Sequence, residues 1–401
     1  MAPETVEVDL YNPDNFVASV PHDIFDWLRA NDPVHFHEEP DGPGFWVLTR
    51  FDDVMHASRE WSDFSSAHGT SIEDAQGGAE LMMLNMDPPQ HTKLRKLVSS
   101  GFTPRMIART EPHIREIAAE IVDAVAKRGE CDFVTEVAAE LPLQVIAEFI
   151  GIPLEDRHKI FTWSNTMIGL DDPEYANSSI EKATEAAAEM FGYADTLATE
   201  RRKTPRQDLV TKLIQAEVDD DQLTDMEFDA FFLLLAVAGN ETTRNLISGG
   251  MLALMENPDE RRKLIEDQSK IPTAIEEMLR MVTPVMHFRR TATKDVEIRG
   301  HQIKEGDKVV VWYISANRDA DMFPNPHAFE GARNPNEHIA FGGGGPHFCL
   351  GANLARLEIR VMFEEILKRL PDMELTDTPA RLRSNFINGL KHMPVRFTPE
   401  R

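Results

Sequence analysis

The stretch LTDMEFDAFFLLLAVAGNETTRNLISGGMLALMENP, Leu223 to Pro258, constrains this chain more than any other. Thr224 with Glu227 three places on forms a capping box. No stop signal follows before about Met255, so the sequence predicts a helix on the order of 45 Å long, enough to cross a whole domain. Phe231 to Ala238 is apolar on every face, so the middle of that helix must be buried. Any fold for this chain has to be assembled around it.

The other long segments follow suit. RMIARTEPHIREIAAEIVDAVAKRG from Arg105 and ANLARLEIRVMFEEILKRLPD from Ala352 both carry the 3.6-residue period. Strand signals come late: between Asp295 and Ile314 two short runs flank Gly300 and a third follows Gly306. From Asn317 to Asn336 the chain is rich in Pro, Asn and Gly without periodicity, an ordered meander rather than a turn. The expected fold is mainly α with a small β region, and with neither repeats nor a low-complexity linker residues 1–401 are expected to form one domain. A chain of 401 residues with 42% hydrophobic content can bury a large core.

A formal net charge of -26 argues against general affinity for nucleic acid or acidic membrane surfaces. Cys131 and Cys349 are the only thiols, which excludes a disulfide framework and an all-cysteine zinc site and fits a reducing cytoplasm. The N-terminal MAPETVEVDLYNPDNF has neither the basic nor the apolar region of a signal peptide, and no apolar run nears the roughly 20 residues of a membrane span. A cytoplasmic, unprocessed protein is expected.

Into the buried part of the long helix the sequence places Gly239, Asn240, Glu241, Thr242 and Thr243. A glycine inside a helix costs about 1 kcal/mol against alanine, and an unpartnered carboxylate in apolar surroundings costs more. Two readings follow. In one, the helix turns Glu241 to water and Gly239 admits a neighbouring helix. In the other, an acid and a hydroxyl in adjacent positions form a proton relay beside a kink or widened turn that makes room for a small ligand.

The second singular stretch is FGGGGPHFCLG, Phe341 to Gly351. Neither GxGxxG nor GxxxxGK[ST] can be fitted to it, because His347 and Phe348 fall where glycines are required. The sulfur of Cys349 stands at the start of a helix, where backbone amides favour the thiolate, and the glycines let the backbone approach a flat cofactor. A single thiolate suits haem iron.

With these residues in view the chain resembles the cytochrome P450 family of haem-thiolate monooxygenases, in order and over nearly its whole length. AGNETT (Ala238 to Thr243) is similar to the family's oxygen-activating helix, EMLR (Glu277 to Arg280) to its ExxR pair, and FEGARNP (Phe329 to Pro335) to its meander arginine. PPQHTKLRKLVSSGFTPR from Pro88 resembles its haem-flanking helix. One departure stands out: Phe341 lies eight residues before Cys349 where the family loop has seven, which places an extra residue among Gly342 to Gly344.

The resemblance implies the P450 fold and a set of roles. Cys349 is the axial ligand of haem b, with Ala238, Gly239 and Gly351 close to the cofactor. His91, Arg95, Arg290 and His347 bind the haem propionates, and Glu241 and Thr242 supply protons during oxygen activation. Glu277, Arg280 and Arg333 form a structural triad, and Cys131 has no role beyond packing. A ferredoxin and its reductase supply electrons one at a time, and O2 and a hydrophobic small molecule are consumed.

Lys93, Arg95, Lys96, Arg105 and Arg109 fall between His91 and Thr110 with no acidic residue among them. They are either a solvated helix face or a docking patch for the acidic carrier. Candidate chamber walls are Met82, Met83, Leu84, Val237, Ala238, Val285, Met286, Phe386 and Ile387, and candidate lids are Met167 to Ser179 and His68 to Leu81. GLDDPEYA (Gly169 to Ala176), AVAGNETTRN, TPV and LRSNFINGLKHMPV (Leu382 to Val395) resemble the actinobacterial branch that oxidises the terminal methyl of sterol side chains and methyl-branched lipids. Hydroxylation of such a methyl is the expected activity. A terpenoid or polyketide hydroxylase and a non-catalytic haem sensor are the alternatives; retention of both Glu241 and Thr242 speaks against the sensor.

Overall fold

The computed structural model describes residues 6–74, 79–169, 172–175, 179–217 and 222–401. Its axis is the predicted helix, which runs from Asp225 to Glu256. Thr224 accepts from the Glu227 amide while the Glu227 carboxylate takes the Thr224 amide at 2.9 Å, so the capping box forms as the sequence required. Among the helices that pack on it are Glu140–Ile150, Arg157–Ile168, Ile180–Lys203, Ile271–Val282 and Ala352–Arg369. The helix is α-helical along its whole length, without the widened turn that one reading placed at Gly239. Gly239 instead allows close approach, since a Cβ at that position would stand 2.9 Å from Ile146 Cδ1 of the Glu140–Ile150 helix.

Two apolar cores meet the two halves of this axis. Phe228, Phe231, Phe232, Leu233 and Ala236 join a cluster with Ile146, Ile150, Met190 and Leu197. Leu246, Ile247, Met251 and Leu254 join a second cluster with Ile117, Ile121, Met278, Met362 and Phe363. Each fully buried side chain of this size contributes about 1.5–3 kcal/mol. The stretch from Ala238 to Asn245 belongs to neither core, and the functional cavity opens there.

The strands expected after Asp295 are Val296–Ile298, His301–Ile303 and Lys308–Trp312. The first two form a hairpin through Arg299 and Gly300, both with positive φ as a two-residue turn of this hand demands. Lys308–Trp312 has every residue buried and lies at the centre of a five-stranded sheet ordered Val34–His37, Phe45–Leu48, Lys308–Trp312, His287–Ala292, Phe64–Ser65. Its pairing with Phe45–Leu48 is parallel, the one parallel ladder in this sheet. The N-terminal strands were not anticipated: they are four residues long and find their register only on a partner far along the chain.

The meander is ordered by buried ions. Glu277 accepts from Arg280 Nε and Nη2 at 2.8 and 2.7 Å, from Arg333 Nε at 3.1 Å, from the Glu330 amide at 3.0 Å and from Asn336 Nδ2 at 3.1 Å. The two guanidinium groups spend their remaining donors on carbonyls of the irregular segment: Arg280 on Asn317, Pro326 and Ala328, Arg333 on Pro324, Asn325 and Ala328. A stretch without a backbone ladder thus has its carbonyls satisfied by side chains.

Candidate functional site

Along the central helix Phe231, Leu234, Leu235, Ala238, Gly239, Thr242, Thr243 and Leu246 present one stripe at helical spacing to a cavity of about 250 Å³. Phe341 to Gly344, His347, Cys349, Leu350 and Gly351 line it from the cysteine loop, and Val285, Phe288 and Arg290 from the sheet side. Ala238 and Thr242 are accessible although they sit in the middle of a buried helix, because the cavity lies in front of them. The Thr242 hydroxyl donates to the Ala238 carbonyl at 2.7 Å.

The extra residue of the cysteine loop is absorbed by glycine. Gly342, Gly344 and Gly345 take φ of 95°, 87° and 73°, which only glycine adopts freely. The Cys349 amide donates to the Phe341 carbonyl at 3.0 Å, so the loop closes on itself and Phe341 keeps its place on the cavity wall. The Arg356 guanidinium sits 4.5 Å from the Phe341 ring centroid.

The amides of Gly351 and Ala352 donate to the Cys349 sulfur, as a residue at a helix start should receive. Burial pushes the thiol up, and those amides together with Arg95 and Arg356 pull it down without cancelling the rise. A cation directly on the sulfur favours its ionised form.

At one edge of the cavity four basic side chains converge. His91 and Arg95 share a face of the Gln90–Ser99 helix, and the His91 and His347 rings lie 4.3 Å apart. His91 Nδ1 and His347 Nε2 are buried without a hydrogen-bond partner. Burial first, then neighbouring arginines, lowers His91 to about 4 and His347 to about 3. The one acid acting on His91, Asp87, is taken by the Ser65 hydroxyl and the Ser66 amide. Arg290 donates only to the carbonyl of its own neighbour, Arg289, at 2.8 Å. Cations and orphaned nitrogens gathered this way lack an anion, and a haem carrying two propionates supplies two. With a lone thiol opposite and a glycine-rich wall, the residues present fit that cofactor.

Glu241 is not on the cavity wall. It is 1% exposed, turned to the back of the central helix, where it pairs with Arg244 and receives Asn240 Nδ2 at 3.2 Å. This rules out the reading in which the helix turns it to water. Arg244 reaches Asn165 of the Arg157–Ile168 helix at 3.1 Å. Burial raises the Glu241 carboxyl, and Arg244, paired with Oε2, only partly offsets this.

Of the proposed walls, Met83, Leu84, Ala238 and Val285 line the cavity. Met82, Val237, Met286, Phe386 and Ile387 do not. Met82 and Val237 pack on the first core, Met286 faces the N-terminal cluster around Trp312, and Phe386 stacks on His287 and Phe288. The backbones nonetheless meet as expected, with Val285 bridged to Ile387 and the Met286 amide on the Phe386 carbonyl at 2.9 Å. Phe231, Leu234, Leu235, Phe288, Ser58 and Glu358 are wall residues that sequence reading missed; the central-helix members follow from the spacing of Ala238 and Thr242. Of the candidate lids, residues 75–78, 170–171 and 176–178 lie outside the described residues.

Residues 20–381 match the family model described as Cytochrome P450. The chain is 44% identical to the steroid C26-monooxygenase of Mycolicibacterium smegmatis, over 92% of this chain and 89% of that protein. It is also 44% identical to the methyl-branched lipid omega-hydroxylase of Mycobacterium tuberculosis, over 93% and 90%. A Mycobacterium marinum cytochrome P450 solved in complex with pseudoionone superposes with a TM-score of 0.91 at 41% identity, covering 98% of this chain and 100% of that one. Matched along most of its length and in its fold, and carrying a lone cysteine beneath a cavity edged with basic side chains, this chain belongs to the cytochrome P450 family of haem-thiolate monooxygenases.

Proposed function

We propose that this P450 is a single catalytic unit that hydroxylates the terminal methyl of a sterol side chain or of a methyl-branched lipid. The observation that carries the reading is the wall facing Cys349 across the cavity: Phe231, Leu234, Leu235, Ala238, Val285 and Phe288, without a charged group. Such a wall recognises bulk and shape and leaves a hydrocarbon end free to approach the reacting centre. The names of the relatives at 44% identity supply the choice of substrate class.

Haem b supplies O2 activation and insertion of one oxygen atom into a C–H bond. The chain supplies the rest. Cys349 gives the thiolate, and His91, Arg95, Arg290 and His347 hold the two propionates by charge-assisted hydrogen bonds. Thr242 keeps a hydroxyl on the cavity wall, and its proton, now given to the Ala238 carbonyl, is released by one rotation about χ1. Glu241 stands behind the same turn of helix, where burial raises its carboxyl and favours the form that carries a proton.

Electrons come from a cytoplasmic ferredoxin kept reduced by its reductase. Lys93, Lys96, Arg105 and Arg109 are exposed, and Arg95 ties their helix to the cysteine loop by donating to the Phe348 carbonyl at 2.5 Å. Reversing Lys96 and Arg109 together should slow reduction by a ferredoxin and flatten its salt dependence. Reduction kinetics unchanged in both respects would remove the docking patch.

Titration of the ferric protein with cholest-4-en-3-one, a methyl-branched fatty acid and a terpenoid ketone tests the substrate class. A spin-state shift with either of the first two, followed by a product carrying a terminal hydroxyl, is expected. The pseudoionone bound in the M. marinum relative favours a terpenoid as the second reading, and a shift with the terpenoid alone would replace the sterol and lipid assignment with it.

A further inference from the structure

The helix that follows the cysteine turns a stripe of its own to the cavity: Gly351, Leu354, Ala355, Glu358 and Ile359, spaced i, i+3, i+4, i+7, i+8. Four of the five are apolar or small, as a surface against a flat cofactor should be. The fourth in order is a carboxyl. Glu358 is 3% exposed, its Oε2 has no partner, and it is the only Asp or Glu on the cavity wall among the described residues.

The charged groups around this helix are engaged elsewhere. Arg356 is held by Glu276 of the Ile271–Val282 helix, Arg360 by Glu111 of the Pro104–Ala126 helix and by Glu364, and Arg115 by Glu111 and Glu364. On the Ile271–Val282 helix Glu277 is saturated by Arg280 and Arg333. Among the described residues none of these cations pairs with Glu358, and burial pushes its pKa well above the ordinary 4.5. Burial favours the protonated form, and a buried O–H without an acceptor is an unmet hydrogen bond on the cavity wall.

We propose that Glu358 is a cofactor-tuning residue: a neutral carboxylic acid that directs its O–H toward the haem from the Cys349 side and raises the reduction potential that the thiolate alone would hold low. The proposal rests on the cofactor assignment above. A thiolate in a dry pocket opposes the arrival of an electron, and a donor dipole beside it offsets part of that opposition at no cost in net charge. Glu358 takes no proton and gives none up; it acts through the cofactor.

The test uses haem-loaded wild type, Glu358→Gln and Glu358→Leu. Reduced, carbon-monoxide-treated wild type must first give the thiolate band; without it the cofactor reading falls, whatever Glu358 does. With that band present, dye-mediated titration should give Glu358→Leu a lower midpoint potential than wild type by about tenfold in the one-electron equilibrium, about 59 mV, with Glu358→Gln between them because its amide still donates. Infrared difference spectra of reduction should contain a protonated-carboxyl C=O band that shifts in wild type and vanishes in Glu358→Gln. Equal potentials in all three proteins, or a protonated-carboxyl region of the difference spectrum left unchanged by Glu358→Gln, would overturn the proposal. Should Glu358→Leu fail to load haem, wild type against Glu358→Gln and the infrared band decide the question.

Discussion

Glu277 with Arg280 and Glu241 with Arg244 are both glutamate–arginine pairs three residues apart on a buried helix. Side-chain exposures are 0% and 0% in the first pair and 1% and 5% in the second. Their surroundings differ. Glu277 also receives Arg333, Asn336 and the Glu330 amide, and although burial pushes its carboxyl up, Arg280 and the other donors outweigh burial and hold it below the ordinary value. Glu241 has Asn240 on one oxygen and Arg244 on the other, the Arg244 Nε has no partner, and burial wins. A saturated buried ion cluster holds a shape, and an unsaturated one leaves a group that can keep, lose or redirect a proton.

The strongest way to break this contrast is to remove the acid of the saturated pair. Glu277→Ala strands two buried guanidinium groups at once, and a loss of about 3–5 kcal/mol is expected. Urea denaturation measures it, and the yield of haem-loaded protein should fall with it because the meander leads into the cysteine loop. A variant as stable as wild type would mean that the meander carries its own fold.

Next in size is the acid of the unsaturated pair. Glu241→Gln should cut product formation about 10²-fold through the loss of an ionisable proton carrier, while changing stability by less than about 1 kcal/mol. Product yield per NADH consumed, beside a denaturation curve, separates the two quantities. If Glu241→Gln instead destabilises as Glu277→Ala does, both pairs are structural.

The two acids also differ in the sign of their pH linkage. A raised folded-state pKa means that above about 4.5 the native state binds more protons than the unfolded chain, so stability falls as pH rises toward the folded value. Glu241→Gln should therefore gain on wild type in denaturation experiments moved from pH 5 to pH 8. Glu276, beside Glu277, is lowered to about 2: burial pushes it up, and hydrogen bonds from Arg356 and His338 overcome that. Its contribution is present above 4.5 and lost as pH falls toward 2, so the penalty for Glu276→Gln should shrink on acidification. Parallel trends in the two variants would erase the distinction.

What the sequence revealed of this contrast follows the range of the forces involved. The capping box at Thr224 and the spacing of Glu277 and Arg280 are local, and each is found where it was read. Stripe membership is also local: positions 231, 234, 235, 238, 242 and 246 are legible once Thr242 is placed on a cavity, and Val237 fails because it points about 100° away from Ala238. Saturation is not local. Nothing near Glu277 announces that Arg333 and Asn336 will come to it from the meander, and nothing near Glu241 announces that Arg244 and Asn240, its own neighbours on the helix, will serve it instead. The same limit hid the parallel pairing of Phe45–Leu48 with Lys308–Trp312, and it hid the burial that works against the helix-start amides at Cys349, since those amides are a local effect and depth in the protein is a tertiary one.

A third pair supplies the smallest effect and isolates the cause. Asp259 and Arg262 have the same i, i+3 spacing on the Pro258–Glu266 helix, but their side chains are 81% and 64% exposed. In water each charge is solvated before they meet, and holding two flexible side chains together costs entropy close to what the attraction returns. Arg262→Ala should change stability by less than about 0.5 kcal/mol, and added salt should shrink even that. If it costs as much as Glu277→Ala, spacing on the helix accounts for the stability and saturation does not. If it costs next to nothing, the difference between Glu277 and Glu241 lies in what surrounds each carboxyl.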